Sequence, residues 1–540
     1  MVDATVLIVG CGPTGLIVAH ELLRRGISCR LVDKRPAPQS STRAFTIHAR
    51  TMEMFDHMGM AHVDEVRAVC PGNLFHFKGI DLPPEQMPTL DFRRLKNTQY
   101  NYYGKVNQND LDQILRDGLA ANHSVFPEFD TECVAVRQED DELSVDLIHG
   151  GDGDRKEVVH PDWVIGADGA RSTVRRDLGL SFDEKETYAM TMSMVDVRLE
   201  GYKGDANWVN YYVADKGFML LTSLPGDKYR MYLAGQLESY LKDSTPRDAF
   251  QKGLDFFDTG ARITGLDWSS TWTINKVVCD TYRKGRAVLC GDATHVHSPA
   301  GGQGMNACMQ DAFNLGWKLS LVIKGLAPDS ILDTYQRERK PIAEQVTEGA
   351  NRMHQVLFNA NVSIADRYKL TQDQSWHDEA IYRISGLSHN YDTGAAGNLP
   401  LLERIASVEP GVRAADVVMS KAAPRRRLYD IFRHTDFTLL LLPGAAAKNG
   451  DVSRATATAV KHRYGHRVKC AVIARKAVDG LDCDQGSKIR RSPCARRTAA
   501  MARVRWFWCV QTFTWITSVP WTTSKHCRGT CNSIGWHSGR

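Results

Sequence analysis

Three glycine-rich segments of the chain carry the residues best suited to bind a cofactor. They are residues 10–15 (GCGPTG), 166–169 (GADG) and 291–306 (GDATHVHSPAGGQGMN). Each follows an apolar run and precedes a helical pattern. Helix N-termini offer unpaired N–H groups and partial positive charge, and glycines let the backbone approach a flat ligand or a phosphate closely. The spacing predicts a site for a large anionic or hydrogen-bonding cofactor, with a tight strand-to-helix turn as the structural alternative.

The first segment has the spacing and context of a dinucleotide site. An apolar strand is predicted before it, and a helix after it. Gly10, Gly12 and Gly15 permit the turn and the approach of a pyrophosphate, and Asp33, at the end of the next predicted strand, can accept hydrogen bonds from a ribose. Together these features predict dinucleotide binding.

The other two segments each place an aspartate at the end of a strand. Asp168 lies between glycines, where it can hold a loop or a ligand's sugar. Asp292 precedes a glycine turn and a helix predicted to begin near Met305. A purely structural turn is the alternative for Asp168. A metal site at His295 and His297 is the weaker interpretation of that stretch.

Two further residues are candidate cofactor ligands. Arg43 follows a proline-containing loop, and its guanidinium can reach a phosphate; a solvated arginine is the alternative. The amide of Gln108 precedes a predicted helix and can bond a cofactor, although capping by Asn109 or Asp110 would need none.

The composition bounds the class of protein. With 540 residues, 43% of them hydrophobic, the chain can form two or three domains. The net charge of +5 belongs to the last sixty residues, which hold ten Lys/Arg and two Asp/Glu, so the sequence does not predict nucleic-acid binding. We find no apolar run of membrane-spanning length, no signal peptide and no paired cysteine spacing up to residue 308. These features predict a cytoplasmic protein without a membrane partner.

Alternating apolar residues predict an antiparallel sheet over residues 188–275. Tyr211 and Tyr232 are candidates to line a cleft for an aromatic substrate. Ordinary packing of aromatic residues in a sheet is the alternative for each.

The three motifs, in this order, closely resemble those of the single-component FAD-dependent aromatic hydroxylases. The segment GDATHVHSPAGGQGMNACMQDAFNLGWKL is most similar to the phenol 2-monooxygenase branch, and the resemblance covers residues 3–360. It implies bound FAD, with NAD(P)H, O2 and a small phenol-like aromatic as substrates. Oxygen would add to the flavin C4a carbon, and the resulting hydroperoxide would hydroxylate the ring.

The resemblance also implies individual roles. The glycines of the first motif would lie at the pyrophosphate, Asp33 at the adenosine ribose in place of the family's usual glutamate, and Asp168 near FAD and the nicotinamide. Asp292 would bond the ribitol, and Arg43 and Gln108 the flavin side of the cofactor. The isoalloxazine would be surrounded by Gly301, Gly302, Gly304, Met305 and Asn306, with Pro299 shaping the pocket.

The sequence differs from the related branch at the residue that activates the substrate. That branch uses an aspartate near the segment occupied here by residues 44–51, where this chain has Phe45, Thr46 and His48. His48 is a candidate catalytic residue because its ordinary pKa lies near neutrality. A structural histidine is the alternative.

The predicted fold class is α/β. A discontinuous Rossmann-like FAD domain (1–187 and 276–360) interleaves with a substrate-binding sheet (188–275 and about 70–100). A loop-rich linker (361–400) and a partial, degenerate thioredoxin-like domain (401–485) follow. That domain lacks C-x-x-C, so we predict a structural role for it, and in relatives it often lies near a dimer contact, which makes a homodimer a candidate assembly.

The tail, residues 486–540, resembles nothing in these relatives. The last sixty residues hold five Trp and five Cys, and our hypothesis is a frameshift or mis-spliced reading near residue 490. A genuine tail would leave the last domain without its closing strands, and the alternative function is then a catalytically impaired FAD-binding protein. Two other interpretations are weak. Cys527 and Cys531 lack a second zinc-binding pair, and the W-x-W-x-I-P motif of flavin-dependent halogenases is absent.

Overall fold

The computed structural model describes residues 4–520 apart from a set of gaps. These are residues 41, 61–67, 141, 151–154, 182–185, 216, 236, 238–240, 243, 297–298, 300, 359–361, 392–412, 415, 417, 421–425, 443–448, 475–484, 489–504 and 510–514. His297 and the tail cysteines Cys527 and Cys531, which are weak metal-site candidates from the sequence, lie outside the described residues. Within them, no helix is long and apolar enough to cross a membrane.

A five-stranded sheet carries the three glycine-rich segments. Its strands lie in the order Arg283–Lys284, Ala287–Leu289, Trp163–Gly166, Val6–Val9 and Cys29–Val32, all parallel except the first pair. Val6–Val9 is completely buried because helices cover a parallel sheet on its faces. All three glycine segments leave this sheet at the carboxyl ends of parallel strands, the usual position of ligand sites in such folds.

Helices pack on this sheet and connect it to the rest of the chain. Helix Pro13–Leu23 begins with a proline at its first position, which suits a helix start, and packs against Gly304–Ile323. Further helices among the described residues before position 360 are Ala49–His57, Gln108–His123, Thr173–Asp177, Pro246–Phe256 and Asp333–Phe358.

Two small antiparallel sheets lie beside it. One joins Thr131–Glu139, Glu142–His149 and Arg155–Val159, and the other joins Thr46–Ile47, Tyr103–Lys105 and Ala68–Cys70. The second sheet matters for the site because its first strand leads directly into His48 at the start of helix Ala49–His57.

An eight-stranded sheet forms the second large layer. Its strands lie in the order His295–Val296, Arg262–Val278, Glu186–Glu200, Lys228–Gly235, Gly217–Leu224, Val209–Ala214, Gly72–Phe77 and Thr89–Asp91. The strand pairs are antiparallel except for Val209–Ala214 with Gly72–Phe77.

The strand register aligns side chains into rows across one face of this sheet. Side chains two residues apart along a strand share a face of the sheet. Each row across the sheet takes one residue from every strand, and the next row on that face takes the residue two positions further along each strand. One row contains Phe75, Tyr211, Leu220, Tyr232 and Met194. The next contains Phe77, Val213, Phe218, Ala234, Met192 and Trp272. The rows give the sheet an aromatic and apolar face.

The segment after residue 360 differs from the predicted loop-rich linker. It contains two helices, Ile364–Leu370 and Gln374–Ile384. Ser363 and Asp373 cap them, their side chains accepting hydrogen bonds from the backbone N–H groups of Asp366 and Ser375. These capping signals are short and polar, which is why the segment resembles a loop in sequence.

The C-terminal sheet extends beyond the predicted boundary at residue 485. Its order is Gln485–Lys488, Val468–Ala474, Phe437–Leu442, Arg505–Cys509 and Trp515–Pro520, and helix Asn449–Tyr464 connects two neighbouring parallel strands. Two antiparallel strands of this sheet therefore come from the segment that we predicted to be an atypical tail. The expectation that the last domain lacks closing strands is wrong for these described strands.

Candidate functional site

One cavity of about 1210 Å³ lies between the carboxyl ends of the five-stranded sheet and the aromatic face of the eight-stranded sheet. It brings together most of the residues predicted from sequence, which are Gly10, Gly12, Asp33, Arg43, His48, Gln108, Asp168, Tyr211, Tyr232, Asp292, Pro299, Gly302, Gly304 and Met305. Gly15 and Asn306 are not part of its lining.

Gly15 and Gly12 of the first motif are each suited to glycine for a different structural reason. A Cβ on Gly15 would lie 2.0 Å from the carbonyl oxygen of Gly10, so this position needs glycine for the turn itself. A Cβ on Gly12 would meet nothing within 4 Å and would project into the cavity. Gly12 therefore keeps open the space in front of helix Pro13–Leu23, which has no acidic residue in its first turn and no side-chain cap.

The Asp33 carboxylate is already well bonded. It accepts from the backbone N–H of Cys11 at 2.8 Å, and from the backbone and guanidinium of Arg35 at 2.6–2.9 Å. Burial alone would raise the pKa of Asp33, but the hydrogen bonds from Arg35 and Cys11 outweigh it and lower the pKa. The side chain is thus held ionised at the edge of the cavity.

Asp168 has one bonded and one unbonded carboxylate oxygen. Its Oδ2 accepts from the backbone N–H of Thr173 at 2.7 Å and of Val174 at 3.3 Å. Its buried Oδ1 has no hydrogen-bond partner among the described residues, and burial raises the pKa of the group. The structural interpretation of Asp168 therefore accounts for one oxygen, while the other remains able to bind a hydroxyl donor.

Asp292 and helix Gly304–Ile323 form the second cofactor surface. The Asp292 side chain is exposed to the cavity, and the Cys308 thiol donates to its Oδ1 at 3.1 Å. The helix begins at Gly304, one residue before the predicted start, with no side-chain cap and no acid in its first turn. Its free N–H groups favour negative charge at this end of the cavity.

Arg43 and Gln108 line the cavity from neighbouring segments. The Arg43 guanidinium lies 4.5 Å from the ring centre of Trp272, and its backbone carbonyl accepts from Tyr232 Oη at 2.6 Å. The backbone N–H of Gln108 donates to Ala44 at 3.1 Å, which leaves its side chain at the cavity.

His48 is buried, with 2% of its surface exposed, and its Nε2 lies 3.0 Å from the Gly301 carbonyl and 3.2 Å from that of Gly302. Carbonyls only accept, so Nε2 donates and Nδ1 is the bare nitrogen. Nδ1 has no partner among the described residues. Burial lowers the pKa of His48 to about 4, so the ring is neutral at pH 7.

Asn306 has a different place from the one predicted. Its Oδ1 accepts from the backbone N–H of His48 at 2.8 Å, and its Nδ2 donates to the carbonyls of Thr46 and Gly302 at 2.9 and 3.0 Å. The side chain ties the glycine turn to the strand before His48. This use of an amide could not be read from the motif, because all three partners are backbone groups distant in sequence or in the turn itself.

The end of the cavity formed by the eight-stranded sheet is aromatic. Tyr211 stacks against Phe75 and Phe218, with ring centres 5.3 and 6.2 Å apart, and Tyr232 meets Trp272 edge to face at 6.1 Å. Other lining residues that sequence reasoning did not single out for this site are Phe45, Asn73, Tyr103, Met192, Leu220 and Trp268. They come from six separate segments, which only the tertiary structure brings together.

A buried charged cluster behind the cavity was also missed. His295 Nε2 lies 2.7 Å from Asp311 Oδ2, and Arg339 Nε donates to Asp311 Oδ1 at 2.5 Å. The cluster joins the segment after Asp292 to helices Gly304–Ile323 and Asp333–Phe358. Among the described residues, no group of His, Cys, Asp and Glu has the arrangement of a metal site, and His295 is committed to Asp311.

The residues present fit FAD. Gly12 leaves open the space that a pyrophosphate would fill, and two helix N-termini without first-turn acids face the cavity. The unbonded Oδ1 of Asp168 and the exposed Asp292 carboxylate can accept hydrogen bonds from sugar hydroxyls.

Comparison with known proteins adds independent findings. A family model described as "FAD binding domain" matches residues 3–350. Pentachlorophenol 4-monooxygenase of Sphingobium chlorophenolicum is 40% identical over 457 residues, covering 84% of this chain and 82% of that protein. A flavin-dependent monooxygenase of Mycobacteroides abscessus is 35% identical over 460 residues, covering 83% of this chain and 90% of that protein.

Solved structures share the fold. Aklavinone-11 hydroxylase, in a ternary complex with FAD and aklavinone, has a TM-score of 0.77 at 21% identity, with 98% of this chain and 99% of that chain covered. OxyS anhydrotetracycline hydroxylase from Streptomyces rimosus has a TM-score of 0.74 at 22% identity, covering 99% and 100% of the two chains.

Gly12→Ala should separate cofactor binding from folding. The new methyl group meets no protein atom, so the melting temperature of the apoprotein should stay close to that of wild type, whereas the methyl group occupies pyrophosphate space and should raise the FAD dissociation constant at least tenfold, roughly 1.4 kcal/mol. FAD titration and thermal melts measure both. Gly15→Ala is the matched control and should lower the melting temperature through its clash with Gly10. Unchanged FAD affinity in Gly12→Ala would contradict the assignment.

Asp292→Ala should weaken FAD retention by about tenfold or more, because it removes a charged acceptor that projects into the cavity. The flavin-to-protein absorbance ratio after purification measures the loss. Asp329→Ala, which removes an exposed carboxylate paired with Arg283, is the control and should keep its flavin. A variant of Asp292 that purifies with full flavin would refute the role.

His48 should make stability depend on pH in the acid range. Its pKa is about 4 in the folded protein and about 6.5 when unfolded, so protons favour the unfolded chain. Above about pH 6.5 His48 is neutral in both states and costs no stability. The free energy of unfolding falls as pH falls toward 4, and the loss due to His48 is roughly 2 kcal/mol at pH 5. The melting temperature should therefore fall less between pH 7 and 5 in His48→Gln than in wild type. Equal falls would show that His48 is not held neutral by burial.

Proposed function

Since the chain belongs to the single-component FAD-dependent aromatic hydroxylases, we propose that it places one hydroxyl group on a phenol that binds flat against the eight-stranded sheet. The protein is an FAD-dependent aromatic monooxygenase that uses NAD(P)H as co-substrate. Its relatives named above include a pentachlorophenol 4-monooxygenase, which supports a phenol as the substrate class.

The observation that carries the proposal is the continuity of the cavity. One end has the glycine turns and the carboxylates of Asp168 and Asp292, and the other end has the two side-chain rows that contain Tyr211 and Tyr232. A cofactor and an aromatic ring can therefore lie in contact within one continuous cavity.

The cofactor end supplies binding and orientation. Gly12 and helix Pro13–Leu23 would hold the pyrophosphate, Asp33 the adenosine ribose, and Asp292 the ribitol. The N-terminus of helix Gly304–Ile323 would face the isoalloxazine and stabilise negative charge that develops there. Bound FAD, once reduced by NAD(P)H, supplies the activated oxygen.

The substrate end supplies position and exclusion of water. The apolar and aromatic rows would hold an electron-rich ring, and Pro299 would limit its position beside the cofactor end. Burial of the ring among Leu220, Phe218 and Met192 removes water from the reacting edge and protects the activated oxygen from wasteful decomposition.

His48 would assist the ring hydroxyl as a hydrogen-bond acceptor. Its Nε2 donates to the glycine turn, so Nδ1 is the nitrogen that can accept. A hydroxyl that donates to Nδ1 gains electron density on its oxygen, and the ring becomes a better nucleophile. The low pKa of His48 favours this polarising role over full removal of the proton.

We infer a structural role for the C-terminal sheet. A parallel strand–helix–strand unit, residues 437–474, followed by an antiparallel pair is the strand arrangement of a thioredoxin-like core. The absence of C-x-x-C in the sequence supports a scaffold function for this region.

The decisive experiment is oxygen labelling. The enzyme with NADPH, ¹⁸O₂ and a panel of phenols should yield a product carrying one labelled oxygen, with NADPH oxidised in a ratio to product near one. Benzene and toluene serve as controls without a ring hydroxyl and should give no product. A protein that binds flavin but consumes no NADPH with any phenol would instead be the catalytically impaired flavoprotein.

A further inference from the structure

One side-chain amide projects into the substrate half of the cavity without an assigned role. Asn73 lies on strand Gly72–Phe77, on the same face as Phe75 and Phe77, and lines the cavity with 3% of its surface exposed. The other two amides of the lining, Gln39 and Gln108, lie on the cofactor side.

Tyr103 fixes the orientation of this amide. The Tyr103 hydroxyl donates to Asn73 Oδ1 at 2.5 Å and also lies 3.1 Å from the Gly72 carbonyl. The tyrosine ring is held edge to face by His48 and Phe92, with ring centres 5.4 and 5.0 Å away. Because the amide oxygen is occupied, the amide nitrogen is the group left to interact with a ligand.

The amide nitrogen is a donor without a protein acceptor. Asn73 Nδ2 has no hydrogen-bond partner among the residues that the structure describes. A ligand that covers this donor without offering an acceptor leaves it unpaired, at a cost of about 1–3 kcal/mol, so a ligand with an acceptor at this point gains affinity and specificity. Val209, the lining residue opposite Asn73 on the neighbouring strand, offers hydrocarbon rather than a competing acceptor.

Strand register places this donor one row away from Tyr211. Asn73 pairs with Val209, and Phe75 pairs with Tyr211, so Asn73 and Tyr211 are diagonal neighbours, with a backbone separation on the order of 7–8 Å. Tyr211 lines the same cavity as Gly301 and Gly302 of the glycine turn, which mark the cofactor side. A single aromatic ring with two polar substituents fits between the two groups.

We propose that Asn73 donates a hydrogen bond from Nδ2 to a second polar substituent on the substrate ring. The substrate is then a phenol that carries a further hydrogen-bond acceptor, such as another hydroxyl, a carbonyl or a nitro group. Tyr103 is the positioning residue that orients the amide. This inference rests on the proposed function, because it takes the first ring hydroxyl to bind near Tyr211 and His48.

The test compares ligands with and without the second substituent. Dissociation constants for phenol and for the three dihydroxybenzenes are measured on the oxidised holoenzyme from the change in flavin absorbance. Wild type should bind at least one dihydroxybenzene about tenfold or more tightly than phenol, a difference of about 1.4 kcal/mol. In Asn73→Leu this ratio should fall to within about threefold.

Three further variants separate recognition from folding. Asn73→Asp keeps the acceptor for Tyr103 but has no donor, so it should lose the preference even if Asn73→Leu does not fold. Tyr103→Phe should reduce the preference by freeing the amide to turn. Thr222→Val changes a buried residue of the same sheet that does not line the cavity, and its preference should match that of wild type. Flavin content and melting temperature report folding in each case.

The outcomes distinguish this inference from the proposed function. Equal affinities of wild type for phenol and all dihydroxybenzenes, or a preference that survives in both Asn73 variants, would overturn the role of Asn73. Hydroxylation of phenols by such an enzyme would leave the proposed function standing. A preference that depends on Asn73, in an enzyme that hydroxylates no phenol, would refute the proposed function alone.

Discussion

The two halves of the cavity depend on the hydrogen bonds of a single buried amide. Asn306 accepts from the His48 backbone and donates to the carbonyls of Thr46 and Gly302, so it fastens the glycine turn to the strand that carries the histidine. An apolar residue of the same size would remove the partner of the His48 N–H and of the Thr46 carbonyl, at about 1–3 kcal/mol each. Both the start of helix Gly304–Ile323 and the ring of His48 take their positions from this junction.

The eight-stranded sheet is joined to the same region by a second buried junction. Arg230 forms an ion pair with Asp196 at 2.7 Å and also donates to the Arg43 carbonyl at 2.9 Å, where Tyr232 donates as well. A buried ion pair adds little net stability, but losing one partner leaves an uncompensated charge. The Arg230–Asp196 pair therefore fixes the orientation of the aromatic rows relative to the segment that holds Arg43. It adds little to the stability of the fold.

The motif residues that line one end of the cavity could be grouped from the sequence because their signals are local. Gly10, Gly12, Asp168 and Asp292 lie within short motifs whose geometry follows from strand, turn and helix start. The substrate half depends on register between strands far apart in the chain, so Tyr211 and Tyr232 could be proposed only as candidates. Neighbours such as Asn73 and Trp272 could not be placed at all, since a shift by one residue would turn each of them to the opposite face.

The amino-acid composition of the C-terminal tail did not predict the strands that the structure shows there. The strand Arg505–Cys509, within a tail predicted to be atypical, pairs with the central strand Phe437–Leu442. Its aromatic residues have high β-propensity whether or not they are read in the natural frame, and backbone pairing requires little else. Strand pairing is therefore compatible with either reading frame and does not test the frameshift, which is a hypothesis about the transcript.

The C-terminal region also has a physical connection to the site through Glu53. This buried carboxylate on helix Ala49–His57 bonds Arg50 and Thr98 and forms an ion pair with Arg413 from beyond the cofactor domain. The N-cap of the same helix is His48. Loss of Arg413 would leave Glu53 with less compensation for its burial, and the cost would fall on the helix that presents the histidine. Arg413 thus supports one of the helices beside the cavity although it is not among the lining residues.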